Sequence, residues 1–192
     1  QRKQYQIARQ NVQIINRKCH ELKVQIADLR RLQPDEAATQ SLDEAEQAAR
    51  MYDANAATGN EVLDVVLTEK SLLCEAQRIR LNCVADGTCL AAIEPGDLYA
   101  LFSNLLDQAI DAAAQQQNDR RMIDLLVCRR QGFAVINVIG PALSGSQPDH
   151  GRRHSYELKV ARRVVQKYSG AMATEPRGEL FAVKIVMPLT KG

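Results

Sequence analysis

From Tyr5 onward, apolar residues return at alternating intervals of three and four: Tyr5, Ala8, Val12, Ile15, Cys19, Leu22, Ile26 and Leu29. This is the spacing of one stripe along an α-helix that faces a partner helix. Gln33 precedes Pro34, and a residue before proline is pushed out of the helical region, so the helix is predicted to end near Leu32. After PDEAATQS the spacing resumes with Leu42, Ala45, Ala49, Tyr52 and Ala56, an alanine-rich seam that calls for close packing. The two stretches predict an antiparallel helical hairpin. Such a hairpin cannot bury its seam alone, and the economical structure is a dimer whose two hairpins form a four-helix bundle.

Beyond Gly59 the pattern changes. NEVLDVVLTEKSLLCEAQ reads as a helix, IRLNCVAD alternates as a strand, and CLAAI predicts a second, short strand before Pro95 and Gly96. A capped helix is expected from Asp97, where DLYALFSNLLDQAIDAAAQQQ places Leu98, Leu101, Phe102, Leu105, Leu106, Ala109 and Ile110 on a buried face. The opposite face carries Asn104, Asp107, Gln108 and Asp111. MIDLLVCRR and GFAVINVI follow as strands joined through Gln131 and Gly132 in a hairpin. PALSGSQPDHGRR reads as a mobile loop, SYELKVARRVVQKYSG as a helix ending at Gly170, and AMATEP and ELFAVKIVMPL as the last two strands. The fold class is α+β: a dimerisation hairpin over 1–58, then an α/β sandwich over 59–192 with a mixed sheet covered by helices on one face.

Composition narrows the function. With 192 residues, 45% of them hydrophobic, the chain can bury a real core. Net charge is +2 with both signs mixed throughout and no basic block, which argues against a nucleic-acid partner. Five cysteines (Cys19, Cys74, Cys83, Cys89 and Cys128) are an odd number without a CxxC pair, against a disulfide framework or zinc site and in keeping with a reducing cytosol. No run approaches the roughly 18 apolar residues of a membrane span, and QRKQYQ is not a signal peptide. The chain opens at Gln1 in mid-helix, as expected of a piece of a longer protein.

His20 falls at a b position, just outside the seam, and should face water. Two readings follow: a solvated surface histidine, or a phosphate acceptor whose imidazole is oriented or deprotonated by the neighbouring carboxylate of Glu21. Asn104, Asp107, Gln108 and Asp111 are open in the same way, as the solvated face of an amphipathic helix or as the lining of a pocket. Lys159, Arg162, Arg163 and Lys167 are likewise open, with surface charge as one reading.

Taken together, CHELK, TGNEVLD with LTEKS after it, DLYALFSNLLDQAIDAA and RRVVQKYSG resemble the cytoplasmic part of peptide-sensing sensor histidine kinases with a GHKL-type (Bergerat-fold) ATPase domain. The resemblance runs from about Lys18 to Leu189. It implies a two-component system in which an ATP-binding domain transfers a phosphoryl group to a histidine on a dimeric bundle, from which a response regulator collects it. By resemblance His20 matches the acceptor and Glu21 its acidic neighbour. Asn104 matches the first asparagine of the family's N box and Gln108 takes the place of the second, which implies that this pair holds Mg²⁺ together with the phosphates of ATP. The resemblance makes the polar face with Asp107 and Asp111, and Lys159 and Lys167 of the following helix, the rest of the nucleotide contacts.

Departures from the family pattern imply a weakened enzyme. Gln108 is one methylene too long for an exacting octahedral ion. INVIGPALSG offers Asn137 and Gly140 where the family has an acidic box that reads adenine. In HSYELK, Ser155 and Glu157 take the two glycine places of the lid, where bare amides should meet phosphate at a helix N-terminus. Val24 stands where Asn or Thr would position water for dephosphorylation. The resemblance therefore implies a weak histidine kinase. The alternative is a catalytically degenerate scaffold or phosphotransfer protein that binds no ATP. Either would be the cytoplasmic portion of a membrane-anchored receptor, a homodimer whose upstream sensor is absent from this chain.

Overall fold

The computed structural model describes residues 2–32, 58–117, 120–142 and 148–189. Its elements are α1 (Arg2–Leu32), α2 (Glu61–Ala76), β1 (Arg80–Ala85), a 3₁₀ turn (Gly87–Leu90), α3 (Pro95–Ala114), β2 (Met122–Arg130), β3 (Phe133–Pro141), α4 (Pro148–Lys167), β4 (Ala171–Arg177) and β5 (Leu180–Pro188). The predicted second helix of the hairpin, around Leu42 to Ala56, lies outside the described residues. So do the side chains of Ile15, Cys19, His20 and Leu22 within α1 and of Ser155 and Glu157 within α4.

The five strands form one sheet in the order β1-β2-β3-β5-β4, with β1 parallel to β2 and every other pairing antiparallel. Alternation along the central strands sets the two faces. Ile123, Leu125 and Val127 of β2, Ala134, Ile136 and Val138 of β3, and Val183, Ile185 and Met187 of β5 are buried in the core with Leu98, Leu101, Phe102, Leu105 and Ile110 of α3. Gln131 and Gly132 both adopt positive φ (47° and 82°), as a two-residue primed turn requires, and close the expected hairpin between β2 and β3.

The start of α2 is held from three sides. Asn60 caps it, its Oδ1 accepting from the amides of Val62 (3.1 Å) and Leu63 (3.2 Å). Thr58 donates from its amide and its hydroxyl to Asp64 Oδ1, at 3.0 and 2.6 Å. The Gly87 amide donates to the Thr58 carbonyl at 2.8 Å, tying the 3₁₀ turn to the same corner.

Three expectations need correcting. CLAAI is not a strand: Asp86 Oδ1 accepts from the Thr88 amide, winding residues 87–90 into a 3₁₀ turn that buries Cys89 and Leu90. The sheet therefore has five strands rather than six. The helix expected to be capped at Asp97 begins at Pro95, whose fixed φ suits a first helical position. Asp97, in its first turn, accepts from Lys167 and Tyr168 of the neighbouring helix end. The segment read as a loop up to Arg153 is already helical from Pro148 onward, so α4 is about two turns longer than its apolar pattern shows.

The stripe on α1 is real over its first turns, where its neighbour is the chain's own domain. Ala8 and Val12 are buried in the common core, and Tyr5 packs against Tyr99 of α3 with ring centroids 5.8 Å apart. Arg9 pairs with Glu61 of α2 at 2.5 Å.

Candidate functional site

The polar side of α3 divides between two cavities. Asn104 and Asp107 open onto a cleft of about 580 Å³ between α1, α2 and α3, which Asn11, Lys70, Tyr99 and Ser103 also line. Gln108 faces the other way, into a cavity of about 270 Å³ between α3 and the sheet, walled by Leu105, Ala109, Ala112, Val138, Gly140, Pro141 and Phe181. Four polar residues that share a helix face in sequence thus do not share a pocket.

In the first cleft the polar groups engage one another. Lys70 lies on the apolar stripe of α2, four residues after Val66, and is only 5% exposed. Its Nζ donates to Asp107 Oδ1 at 2.8 Å and to Glu69 Oε1 at 3.3 Å. Burial pulls the Lys70 pKa down, but Asp107 and then Glu69 outweigh it and hold the ammonium above its ordinary value. Tyr99 donates to Glu69 Oε2 at 3.0 Å, and burial followed by the Glu69 charge pushes its phenol up. Ser103 donates to Asp107 Oδ2 at 3.3 Å. Asn104 Nδ2 donates to the Ala100 carbonyl at 2.6 Å, which turns half of its amide back onto its own helix. Sequence reasoning passed over Lys70, although a lysine in the middle of the Val62, Val66, Cys74 stripe is a visible signal.

The second cavity is apolar apart from Gln108, which is 3% exposed. Gly140 stands in its wall, where an added Cβ would lie 3.6 Å from Ala109 Cβ, an ordinary contact. Asn137 alternates onto the opposite face of β3 and does not reach the cavity. Its Oδ1 is buried without a partner. Asp111 is half-buried on the next turn of α3.

The lid candidates are separate again. Lys159 is exposed on α4. Lys167 reaches Asp97 Oδ2 at 2.5 Å and Glu94 Oε2 at 3.3 Å, fastening the end of α4 to the start of α3. Those hydrogen bonds raise its pKa, Asp97 contributing most. Tyr168 completes the fastening, its hydroxyl accepting from the Glu94 amide at 3.0 Å and donating to Asp97 Oδ2 at 2.8 Å. Ser155 and Glu157 lie within the continuous helix Pro148–Lys167, where backbone amides are taken up by carbonyls four residues back. On α1, Glu21 accepts from Lys18 at 2.7 Å and Arg17 at 3.2 Å, which lowers its pKa, Lys18 contributing most.

These residues fit a nucleotide only in part. The cavity against the sheet suits a flat apolar ring, with one amide at its edge. Among the described residues nothing suits Mg²⁺ with a triphosphate: Asp107 is neutralised by Lys70, Gln108 points into an apolar cavity, and no cluster of metal-ligating side chains occurs.

Residues 93–188 match the family model described as the GHKL domain. The chain belongs to the GHKL family. Its fold is that of histidine kinase catalytic domains. It is similar to the nucleotide-free catalytic domain of the histidine kinase ThkA, with a TM-score of 0.54 at 16% identity over 69% of this chain and 94% of that one. It is also similar to the Acinetobacter baumannii histidine kinase AdeS, with a TM-score of 0.50 at 12% identity over 82% of this chain and 87% of that one. No curated protein matches the sequence. The matched span contains α3, both walls of the apolar cavity and α4, so the GHKL assignment falls on the elements that carry Asn104, Gln108 and Lys167. None of the described helices is long and apolar enough to cross a membrane.

Proposed function

We propose that this GHKL protein is the cytoplasmic part of a sensor histidine kinase of the peptide-sensing type. In this reading it is a homodimer that carries a phosphoryl group on His20 and hands it to a response regulator, and ATP-dependent phosphorylation by its own GHKL domain is slow. The observation that carries the second half is the course of α4. Its helix runs from Pro148 through the places of Ser155 and Glu157, so the amides that would meet phosphate are spent inside the helix. Losing one such donor lowers the rate on the order of 10²-fold. A second reading, in which the chain relays phosphate without binding ATP, draws on the closed Lys70–Asp107 pair. The phosphotransfer helix does not depend on the lid, so His20 can be loaded from an active kinase or a phosphorylated regulator under either reading.

Titration calorimetry with a non-hydrolysable ATP analogue and Mg²⁺ separates the two. Weak heat, with slow labelling of the chain from ATP that His20→Gln abolishes, supports the slow kinase. Silence, together with His20 labelling from a phosphorylated regulator, supports the relay. A chain that takes label from neither donor sinks both.

A further inference from the structure

The first turns of α1 are occupied by their own domain, although the heptad spacing suits a partner helix. We infer that α1 is a two-position element: the stripe of Tyr5, Ala8 and Val12 serves either as a clamp on α2 and α3 of its own chain or as part of the seam with a second copy. This rests on the dimer reading above.

Sterics make the two uses exclusive. Ala8 and Val12 are each 7% exposed in the clamped position, and a second helix packs at an axial distance of roughly 8–10 Å through the same side chains. The clamp is also poorly finished. Two of its apolar contacts are small residues, the cleft of about 580 Å³ stays open beside them, and Arg9 Nε is buried without a partner. Release of α1 would return that donor to water. The clamp covers the side of α3 that carries Asn104 and Asp107. His20 lies eight residues beyond Val12 in the same helix, about 12 Å further along its axis. The position of the clamp therefore fixes where the His20 helix stands relative to the polar side of α3.

Glu61 belongs to the clamp but not to the α1 seam, so Glu61→Arg perturbs one use alone. Amide hydrogen exchange and sedimentation equilibrium are read on the full chain. Glu61→Arg is expected to speed exchange over residues 5–12 and 99–107 by about three- to tenfold, in line with reversal of an exposed ion pair, and to tighten dimerisation by about the square of that factor, roughly ten- to hundredfold, because both protomers must be released before the seam forms. Arg9→Glu added to Glu61→Arg restores the pair and returns both readouts. If Glu61→Arg disturbs the start of α2, Arg9→Gln removes the pair from the other side with the same expected signs. Unchanged exchange would overturn the clamp, and faster exchange with unchanged dimerisation would overturn the competition. A wild-type chain that stays monomeric at every concentration fails the dimer reading itself, before any variant is compared.

Discussion

Substituting Asp107 by Asn removes one charge from a pair whose other member has little access to water. The Lys70 side chain is 6% exposed and that of Asp107 31%, with 2.8 Å between Nζ and Oδ1. Asparagine keeps the shape and the acceptor oxygen, so the change isolates charge. Two unit charges about 4 Å apart at an effective dielectric of 20 attract by about 4 kcal/mol. Glu69 remains at 3.3 Å and takes up part of that loss. The expected destabilisation is about 2 kcal/mol, or about 4–8 °C in melting temperature for a chain of this size. The pH dependence follows from the raised Lys70 pKa. The pair's contribution is fully present below the unfolded lysine value and is lost as pH rises through the higher folded value. In Asp107→Asn desolvation dominates, which puts the folded Lys70 pKa below the unfolded value and reverses the sign: the variant should gain stability as pH rises, so its deficit against the wild type should be smaller at pH 10 than at pH 7. Thermal melts at pH 7 and pH 10 test both claims. A shift under about 1 °C would refute the reasoning, because it would mean that Lys70 reaches water or that Glu69 suffices. Replacing both partners, Lys70→Met with Asp107→Leu, should recover most of the loss.

Gly87→Ala would place a Cβ 2.6 Å from Thr58 Oγ1 and 2.7 Å from Asn60 Cβ, breaking the clasp on α2. Denaturant unfolding should register a loss of about 1–3 kcal/mol, whereas Gly140→Ala should stay within about 0.5 kcal/mol. Tyr168→Phe removes the acceptor for the Glu94 amide and one donor to Asp97, and should lower stability by about 1–2 kcal/mol in the same assay. Ser155→Gly with Glu157→Gly puts two glycines inside α4, at roughly 1 kcal/mol each relative to alanine, so circular dichroism should record lost helix. Binding of the ATP analogue without helix loss would show that the lid opens some other way.

Periodicity was a good guide where one face of an element meets the core and a poor one where local polar chemistry decides. The predicted buried face of α3 is buried residue for residue, and β2 and β3, read as strands, alternate buried and less buried positions, because burial on one side writes itself directly into residue choice; IRLNCVAD, read as alternating, is a strand whose burial does not alternate. CLAAI has the composition of a strand, but the Asp86 side chain captures the Thr88 amide first, and no hydropathy pattern contains that hydrogen bond. The early start of α4 was hidden because PDHGRRH carries no apolar stripe. At the candidate site, sequence placed Asn104, Asp107 and Gln108 on one polar face. Consecutive residues stand about 100° apart around a helix, so Asp107 is drawn to Lys70 while Gln108 is drawn under the helix towards the sheet.

The α1 stripe shows the limit most directly. A spacing of three and four specifies that one side of a helix is covered, and says nothing about what covers it. Ala8 and Val12 satisfy the heptad rule equally well against α2 and α3 or against a second α1, because both are surfaces into which small side chains fit. What favours the clamp is chemistry beyond the spacing: Tyr5, on the stripe, meets the Tyr99 ring, and Arg9, beside it, pairs with Glu61. Neither partner belongs to the hairpin, and both lie on the domain that carries the apolar cavity against the sheet. A sequence under selection only for a coiled coil has no need of an arginine opposite Glu61 or a tyrosine opposite Tyr99. Glu61 and Tyr99 lie outside the seam, which is why the Arg9–Glu61 charge swap can separate the two uses of one helix.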